Sequence, residues 1–368
     1  MKQVAIVGTQ GVPAKYGGFE TLVENMIGDH TSSEVRYTVF CSGKDYAERR
    51  EEYKGARLKY VPLFHANGAQ STPYDILSML KTVHGYDTVV ILGVSGCIFL
   101  PVFRLLYRKK LIVNIDGLEH RRAKWGKFAK WFLRTSEAMA VHYADVVIAD
   151  NKGIQDYVSE TYHKPSELIA YGGDHGQRTV SLPRQEEILN QYGVKSEDYA
   201  ISVCRIEPEN NSHLILEAFS CTNELLIFIG NWERSEYSRR LKERYKSSAN
   251  IRMIDSVYDL DTLYTLRSQC SCYIHGHSAG GTNPSLVEAM FFGKPIWAYD
   301  VIYNRETTEN KASYFKTTGD LVALLAGRSQ EGCMMKRDSM MKEGNILKEI
   351  AQRRYTWKHI ATQYENLY

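Results

Sequence analysis

The sequence lacks the cysteine spacing that would indicate a disulfide framework or a zinc site. Its seven cysteines are scattered over 368 residues, with no CxxC pair and no histidine at ligand spacing. An odd, dispersed set of this kind is typical of reduced thiols. We therefore expect a cytoplasmic protein without structural disulfides.

Three further features are scarce, and each argues against a class of protein. The net charge is only +3, which argues against nucleic-acid binding. A predicted strand begins within the first residues, so no secretory signal peptide is expected. The longest apolar stretch, residues 88–103, contains two glycines and a proline and falls short of the roughly 20 residues of a bilayer-spanning helix.

Short β-branched runs alternate with helical patterns along the whole chain. This alternation predicts parallel α/β sheets, and the length of 368 residues predicts two domains. Glycines and a proline interrupt the pattern between residues 171 and 183, where we place a domain boundary. The predicted strands are Gln3–Val7, Arg36–Cys41, Arg57–Val61, Thr88–Leu92, Leu111–Ile115, Val146–Ala149, Ala200–Val203, Leu225–Ile229, Ile251–Met253, Cys272–His275 and Ile296–Ala298.

A glycine-rich loop follows the first predicted strand, with the sequence GTQGVPAKYGGFE from residue 8 to residue 20. Its glycine spacing differs from GxGxxG, and no acidic residue ends the second strand. A nicotinamide-dependent oxidoreductase would have both signals. We predict that a substrate approaches the backbone of Gly17 and Gly18, where a helix begins; a mobile surface loop is the alternative.

Two segments of the second half suggest a site for a nucleotide diphosphate. Arg205 directly follows a predicted buried strand, and its guanidinium suits a phosphate; an ion pair with Glu207 or Glu209 is the alternative. A run of small and polar residues then separates a strand from a helix, and backbone amides at such a helix start bind anions. The predicted donor-binding residues there are Gly281, Thr282, Asn283 and Ser285.

Glu288 lies about one turn into the helix that begins near Pro284 or Ser285. From there its carboxylate could accept hydrogen bonds from the two vicinal hydroxyls of a ribose. A glutamate that faces solvent is the alternative, but the apolar neighbours Val287, Ala289 and Met290 favour a largely buried helix.

Asp259 and Asp261 match the DxD pattern of metal-dependent glycosyltransferases. They precede an apolar helical pattern, however, and an aspartate in that place is typical of a helix cap. We therefore predict a cap and no metal site.

Asp116 ends a hydrophobic strand, at the sheet edge where α/β proteins bind ligands; capping of the next helix is the alternative. The segment from Arg104 to Arg134 holds ten lysines and arginines against two acids, and tryptophans and phenylalanines lie between its lysines. Such a helix can rest on an anionic membrane surface. An ordinary solvated helix with one face toward the core is the alternative.

Four motifs carry a resemblance to a known family: GTQGVPAKYGGFET, NIDGLEHRRAKWGKFAKWF, CRIEPENN and HGHSAGGTNPSLVEAM, together with the closing TWKHIATQYENLY. The chain resembles a retaining glycosyltransferase of the GT-B fold, family 4, and within it a bacterial rhamnosyltransferase-like group. The resemblance implies two Rossmann-like α/β domains that face each other across a cleft. It also implies an acceptor-binding domain at residues 1–175, a nucleotide-sugar-binding domain at residues 176–350 and a helix at residues 351–368 that crosses back.

The resemblance also implies a function. L-rhamnose would pass from dTDP-rhamnose to a lipid-linked oligosaccharide, with retention and without a cofactor, at the inner face of the bacterial plasma membrane. Asp116 would lie near the reacting sugar carbon, and Arg205 with the amides of residues 281–285 would stabilise the leaving group.

Two positions depart from the broader family. Gly280 stands where the first of two paired glutamates is expected, and Asn210 stands where a lysine is expected. His277, Thr282 and Asn283 are our candidates to replace their contacts, and we include His277 and Glu288 with Asp116 and Arg205 in the predicted catalytic set. The departures keep open a non-catalytic protein that binds a nucleotide sugar.

Overall fold

The structure is a computed structural model that describes residues 1–15, 17–30, 32–66, 68–122, 125–329 and 334–368. The chain forms two compact units. Unit 1 comprises Met1–Gly172, Gly280–Thr282 and Trp357–Tyr368, and unit 2 comprises Gly173–Ala279 and Asn283–Thr356.

Unit 1 alternates strands and helices, as the period of its apolar residues predicts. Its strands are β1 (Lys2–Val7), β2 (Val35–Ser42), β3 (Glu52–Tyr53), β4 (Ala56–Val61), β5 (Thr88–Leu92), β6 (Lys110–Asn114), β7 (Val146–Ala149) and β8 (Glu167–Leu168). Its helices are α1 (Gly18–Gly28), α2 (Ser71–Leu80), α3 (Leu100–Leu106), α4 (Lys127–Tyr143) and α5 (Lys152–Tyr162), with α14 (Trp357–Glu365) from the end of the chain.

The eight strands of unit 1 form one sheet in the order β3-β4-β2-β1-β5-β6-β7-β8. All neighbours pair in parallel except β3 and β4. The chain leaves β1 toward β2 on one side and later returns to β5 on the other. Loops that follow β1 and β5 therefore diverge at the carboxyl edge of the sheet, which is where doubly wound folds bind ligands.

Unit 2 repeats the pattern with six parallel strands. They are β9 (Tyr199–Val203), β10 (Leu225–Ile229), β11 (Ile251–Ile254), β12 (Cys272–His275), β13 (Ile296–Tyr299) and β14 (Ser313–Phe315). The helices are α6 (Leu182–Gln191), α7 (Ser212–Ser220), α8 (Glu236–Tyr245), α9 (Leu260–Ser268), α10 (Pro284–Met290), α11 (Ile302–Thr307), α12 (Thr318–Ser329) and α13 (Met334–Arg354). The strand order β11-β10-β9-β12-β13-β14 places the switch point between β9 and β12.

Helix α14 belongs to unit 1 although it ends the sequence. Trp357, Ile360, Ala361 and Tyr364 recur at helical spacing, and all four are buried in the same core as α1 and β1. Their spacing places them on one face of the helix. Burial of this face, rather than helix propensity, stabilises a segment that is too short to be helical alone.

We predict that Ile360→Ala selectively destabilises unit 1. The Ile360 side chain is fully buried, and removal of a buried isoleucine side chain costs about 2–5 kcal/mol. Amide hydrogen exchange in β1 and β5 should therefore accelerate while exchange in β9 and β12 does not change. Lys358→Ala, an exposed change on the same helix, is the control. Equal effects of the two variants would contradict a packed α14.

Candidate functional site

The loops after β9 and β12 meet at the carboxyl edge of the unit 2 sheet. Gly276 directly follows β12, and a Cβ atom at this position would lie 2.1 Å from the carbonyl oxygen of Asn210. Only glycine permits this approach. The switch point of the sheet therefore brings Arg205 and Asn210, from the β9 loop, next to Gly276 and His277, from the β12 loop.

Asn210 and His277 form a buried hydrogen-bonded pair at this point. The Asn210 Nδ2 atom donates to the Arg205 carbonyl at 2.7 Å, and Asn210 Oδ1 lies 2.8 Å from His277 Nδ1. Because a carbonyl only accepts, the amide nitrogen must face Arg205 and the amide oxygen must face the imidazole. His277 Nδ1 therefore carries a hydrogen. Asn304 Nδ2 also donates to the His277 carbonyl at 2.8 Å, which fixes the loop.

Arg205 projects from the same loop and keeps 40% of its side chain exposed. Its Nη1 atom is 4.0 Å from Glu207 Oε1, at the outer limit of an ion pair. Contacts of this kind between partly exposed groups contribute little to stability. The alternative of a pair with Glu207 is therefore present only as a loose contact, and the guanidinium remains accessible to a ligand.

Helix α10 begins behind these loops with a capped first turn. The Asn283 side chain accepts from the Ser285 amide at 2.9 Å, so Asn283 is the N-cap. Ser285 Oγ donates to the Val203 carbonyl at 2.9 Å and lies 2.9 Å from the Tyr273 hydroxyl. The hydroxyl of Ser285 thus joins α10 to β9 and β12, whereas its amide is bound to the N-cap of its own helix.

Glu288 lies one turn into α10 and is held by two partners that the sequence analysis missed. Arg267 Nη1 on α9 pairs with Glu288 Oε2, and His175 Nε2 lies 3.1 Å from Glu288 Oε1. Burial raises the pKa of Glu288, but the Arg267 guanidinium and His175 outweigh it and lower the pKa to about 2. Glu288 is ionised and oriented within unit 2, and its predicted contact with a ribose stays a prediction.

Gly281 and Thr282 belong to unit 1 rather than to unit 2. The Thr282 amide donates to Asp150 Oδ2 at 3.1 Å, and Asn151 Nδ2 donates to Thr282 Oγ1 at 3.3 Å. One of the amides predicted to bind a diphosphate is therefore bound to a carboxylate. Asp150 and Asn151 directly follow β7, the same placement that drew attention to Asp116, and this signal could have identified them.

The glycine-rich loop after β1 is anchored in unit 1. Glu20 Oε1 accepts from Thr9 Oγ1 at 2.9 Å and from the Gln10 amide at 2.8 Å. Gly17 has φ 134°, a conformation that favours glycine, and Gly18 begins α1. These hydrogen bonds hold the first residues of the loop to α1, and the predicted approach of a substrate to Gly17 and Gly18 stays a prediction.

Asp116 lies at the carboxyl edge of the unit 1 sheet, two residues after β6. Its amide donates to Asn114 Oδ1 at 2.9 Å, and the Tyr171 hydroxyl lies 3.4 Å from Asp116 Oδ1. The short turn at Glu119–Arg121 begins after Leu118, and α4 begins after Gly126. Asp116 therefore caps neither the short turn nor α4, and the alternative that it caps the next helix is wrong.

The DxD-like pair has structural partners. Asp259 is the N-cap of α9, with its side chain accepting from the Thr262 amide at 2.9 Å, which confirms the predicted cap. Asp261 Oδ1 pairs with Arg178 Nη1 at 2.7 Å. Within the described ranges, no group of three or more histidine, cysteine and acidic side chains is arranged to hold a metal ion.

Helix α4 turns its aromatic residues outward. Leu133, Glu137 and Ala140 are buried, whereas Phe128 is 77% and Trp131 is 62% exposed. Lys127 and Arg134 are exposed beside them; Lys124 lies outside the described residues. Helix α4 therefore has one face toward the core, as the alternative interpretation expects, and Phe128 and Trp131 lie on its exposed side. No helix in the described part of the chain has the length and apolar character to cross a bilayer.

We predict that Arg267→Met destabilises unit 2 by about 3–5 kcal/mol at pH 7, because it leaves the buried Glu288 carboxylate without its cation. The penalty should shrink as pH falls. In the wild type, the Glu288 contribution is complete above its unfolded pKa and is lost as pH falls toward the folded value of about 2.

The pH series of urea unfolding checks this prediction. Arg178→Met, which breaks the more exposed pair with Asp261, is the control and should cost less than about 1 kcal/mol. A constant Arg267→Met penalty between pH 7 and pH 3 would contradict the charge argument.

Comparisons with known proteins place these sites in a family context. Residues 1–174 match the family described as "Domain of unknown function (DUF1972)", and residues 184–325 match "Glycosyl transferases group 1". No curated protein matches the chain.

Solved structures with the same fold cover nearly the whole chain. Sucrose-phosphate synthase from Thermosynechococcus elongatus has a TM-score of 0.82 at 15% identity, over 100% of this chain and 98% of that one. Anabaena Alr3699/HepE in complex with UDP-glucose has a TM-score of 0.75 at 14% identity, over 100% and 99% of the two chains. A glycosyltransferase from Rickettsia africae ESF-5 has a TM-score of 0.70 at 12% identity, over 100% and 97%. The predicted GT-B fold class is confirmed, and the segment that matches group 1 glycosyltransferases follows the segment that matches DUF1972.

Proposed function

We propose that the protein transfers a hexosyl or deoxyhexosyl group from a nucleotide diphosphate sugar to a lipid-linked oligosaccharide during cell-surface polysaccharide synthesis. The observation that carries the proposal is the meeting of the β9 and β12 loops in unit 2, inside the segment that matches group 1 glycosyltransferases. Nucleotides bind at this edge of doubly wound sheets. Anabaena Alr3699/HepE forms a complex with UDP-glucose, which supports a donor of this chemical class.

The resemblance to a rhamnosyltransferase-like group favours dTDP-L-rhamnose as the donor, and UDP-glucose is the competing candidate. We place the diphosphate near the accessible Arg205 guanidinium, because a planar cationic fork matches phosphate oxygens. We propose that the ionised carboxylate of Glu288 accepts hydrogen bonds from the hydroxyls of the ribose. Since the Thr282 amide is bound to Asp150, a phosphate that uses this amide must replace that hydrogen bond.

The proposed reaction proceeds with retention. The bond between the anomeric carbon and the diphosphate oxygen breaks, and the acceptor hydroxyl oxygen bonds to the same face of that carbon. The hydroxyl proton passes to the departing diphosphate, so charge and atoms balance. Arg205 stabilises the leaving group, and the Asp116 carboxylate stabilises positive charge at the anomeric carbon. Protein groups carry these charges, and we propose no metal requirement.

A nucleotide-sugar-binding protein without transfer activity is the second candidate. Gly280 and Asn210 stand in place of the expected glutamate and lysine, and both ends of the Asn210 amide are already hydrogen-bonded. Such a protein would bind the donor and leave it intact.

A turnover screen tests the proposed function. The protein is incubated with a panel of nucleotide sugars, a lipid-linked acceptor extract and excess EDTA, and release of nucleoside diphosphate is measured. We expect one donor to be consumed. Arg205→Ala should weaken nucleoside diphosphate binding by about 10- to 150-fold in calorimetry, the range for a hydrogen bond to a charged group.

Arg240→Ala, on the surface of α8, is the control and should bind like the wild type. Donor binding without consumption would favour the second candidate. Unchanged affinity of Arg205→Ala would place the diphosphate elsewhere, and activity only after Mg²⁺ or Mn²⁺ is restored would contradict the metal-free reaction.

We further propose that α4 docks on an anionic membrane at the inner face of the bacterial plasma membrane. The α4 patch consists of Lys127, Phe128, Lys130, Trp131 and Arg134. Its two exposed aromatic rings lie 5.8 Å apart, beside cationic side chains. Exposed aromatics next to lysines combine apolar insertion with attraction to anionic lipid. Docking of unit 1 in this way would bring it to a lipid-linked acceptor.

We predict that Phe128→Ser together with Trp131→Ser weakens binding to anionic liposomes by at least about tenfold, because full burial of one large apolar side chain contributes about 1.5–3 kcal/mol. Sedimentation with anionic and with neutral liposomes, at low and high salt, measures this binding. Leu182→Ser, an equally exposed apolar residue of unit 2, is the control. Identical binding of the double variant and the wild type would leave α4 as ordinary solvated surface.

A further inference from the structure

Asp116 has an unusual backbone conformation for a residue with a side chain. Its φ is 60°, in the left-handed region that favours glycine. Such a conformation persists only where the surroundings determine it, and it is frequent at functional sites. The contacts that hold Asp116 therefore decide where its carboxylate lies.

Asn114, the last residue of β6, provides one of these contacts. Asn114 is only 1% exposed, and both the oxygen and the nitrogen of its side-chain amide are hydrogen-bonded. The Oδ1 atom accepts from the Asp116 amide at 2.9 Å, and Nδ2 donates to the Tyr364 hydroxyl at 2.8 Å. The backbone of Asn114 is also paired with β5 and β7, so it cannot shift.

Tyr364 comes from α14, 250 positions away from Asn114 in the sequence. It is fully buried in the core of unit 1, which also contains Ala361 and Tyr368. Burial raises the pKa of Tyr364 above its ordinary value, so the phenol stays protonated. Its oxygen accepts a hydrogen bond from the Asn114 amide nitrogen.

We infer that Tyr364 is a positioning residue for Asp116 and acts through Asn114. The Asp116 N–H, which can only donate, sets which way round the Asn114 amide lies, and the Tyr364 hydroxyl holds that orientation by accepting from Asn114 Nδ2. If the amide turned over, its nitrogen would face the Asp116 amide, and two donors would oppose each other. With the hydroxyl in place, Asn114 Oδ1 is held toward Asp116 and supports the left-handed backbone. The inference rests on the proposed function, in which Asp116 acts at the anomeric carbon.

Tyr364→Phe tests the inference, because it removes one oxygen and keeps the ring. We expect kcat to fall by about 10- to 100-fold, the effect of a small misplacement of a reacting group, while KM for the donor is unchanged. We also expect hydrogen exchange of the Asp116 amide to accelerate. The second measurement does not depend on activity.

Tyr368→Phe is the matched control. It also removes a buried hydroxyl near the end of the chain, but that hydroxyl lies 3.7 Å from Met26 Sδ and does not contact Asn114. We expect it to leave kcat and Asp116 exchange unchanged. Equal effects of the two variants would reduce Tyr364 to a packing role and overturn the inference.

Asp116→Asn separates this inference from the proposed function. If Asp116→Asn lowers kcat strongly and Tyr364→Phe does not, the positioning role is wrong and the role of Asp116 stands. If Asp116→Asn leaves kcat unchanged, the proposed role of Asp116 is wrong. Unchanged exchange of the Asp116 amide in Tyr364→Phe overturns the inference in either case.

Discussion

A strand buried on both faces of a parallel sheet can place polar groups only beyond its last residues, and both units depend on this constraint. The central strands β1, β5, β10 and β12 are almost entirely apolar, because helices cover both faces of each sheet. Polar side chains therefore collect at the carboxyl edges. Asn114 ends β6, Asp150 follows β7, and Arg205 follows β9. The same packing that excludes charge from the sheets concentrates it at their carboxyl edges, where doubly wound folds bind ligands.

This constraint explains why much of the fold and part of the site could be predicted. Each of the eleven predicted strands corresponds to a strand of the structure, because short apolar runs rich in β-branched residues are typical of buried parallel strands. Asp116 and Arg205 could be found because each follows such a run. The strands β3, β8 and β14 were not predicted. They have only two or three residues each, too few to show a period, and they lie at or near the edges of the sheets.

The remainder of the site could not be predicted, because it depends on contacts between residues far apart in sequence. Arg267 and Glu288 are 21 positions apart, and Asn210 and His277 are 67 positions apart. Nothing local marks Arg267 as a buried cation, since it stands in an ordinary amphipathic helix. His175 likewise gives no signal before the fold brings it to Glu288. Sequence reasoning identified candidate residues at strand ends, and the structure supplied the partners that orient them.

The two departures from the broader family have a common electrostatic consequence. A glycine at position 280 in place of a glutamate removes one negative charge, and Asn210 in place of a lysine removes one positive charge. The two changes cancel in the net charge of the chain. The Asn210 side chain has its own structural contacts, because its amide is hydrogen-bonded to the Arg205 carbonyl and to the His277 imidazole. The lost lysine is thus replaced by a rigid neutral link between the two loops at the switch point. Arg205 then supplies the positive charge of this edge, and a loop held by Asn210 fixes where that charge can act.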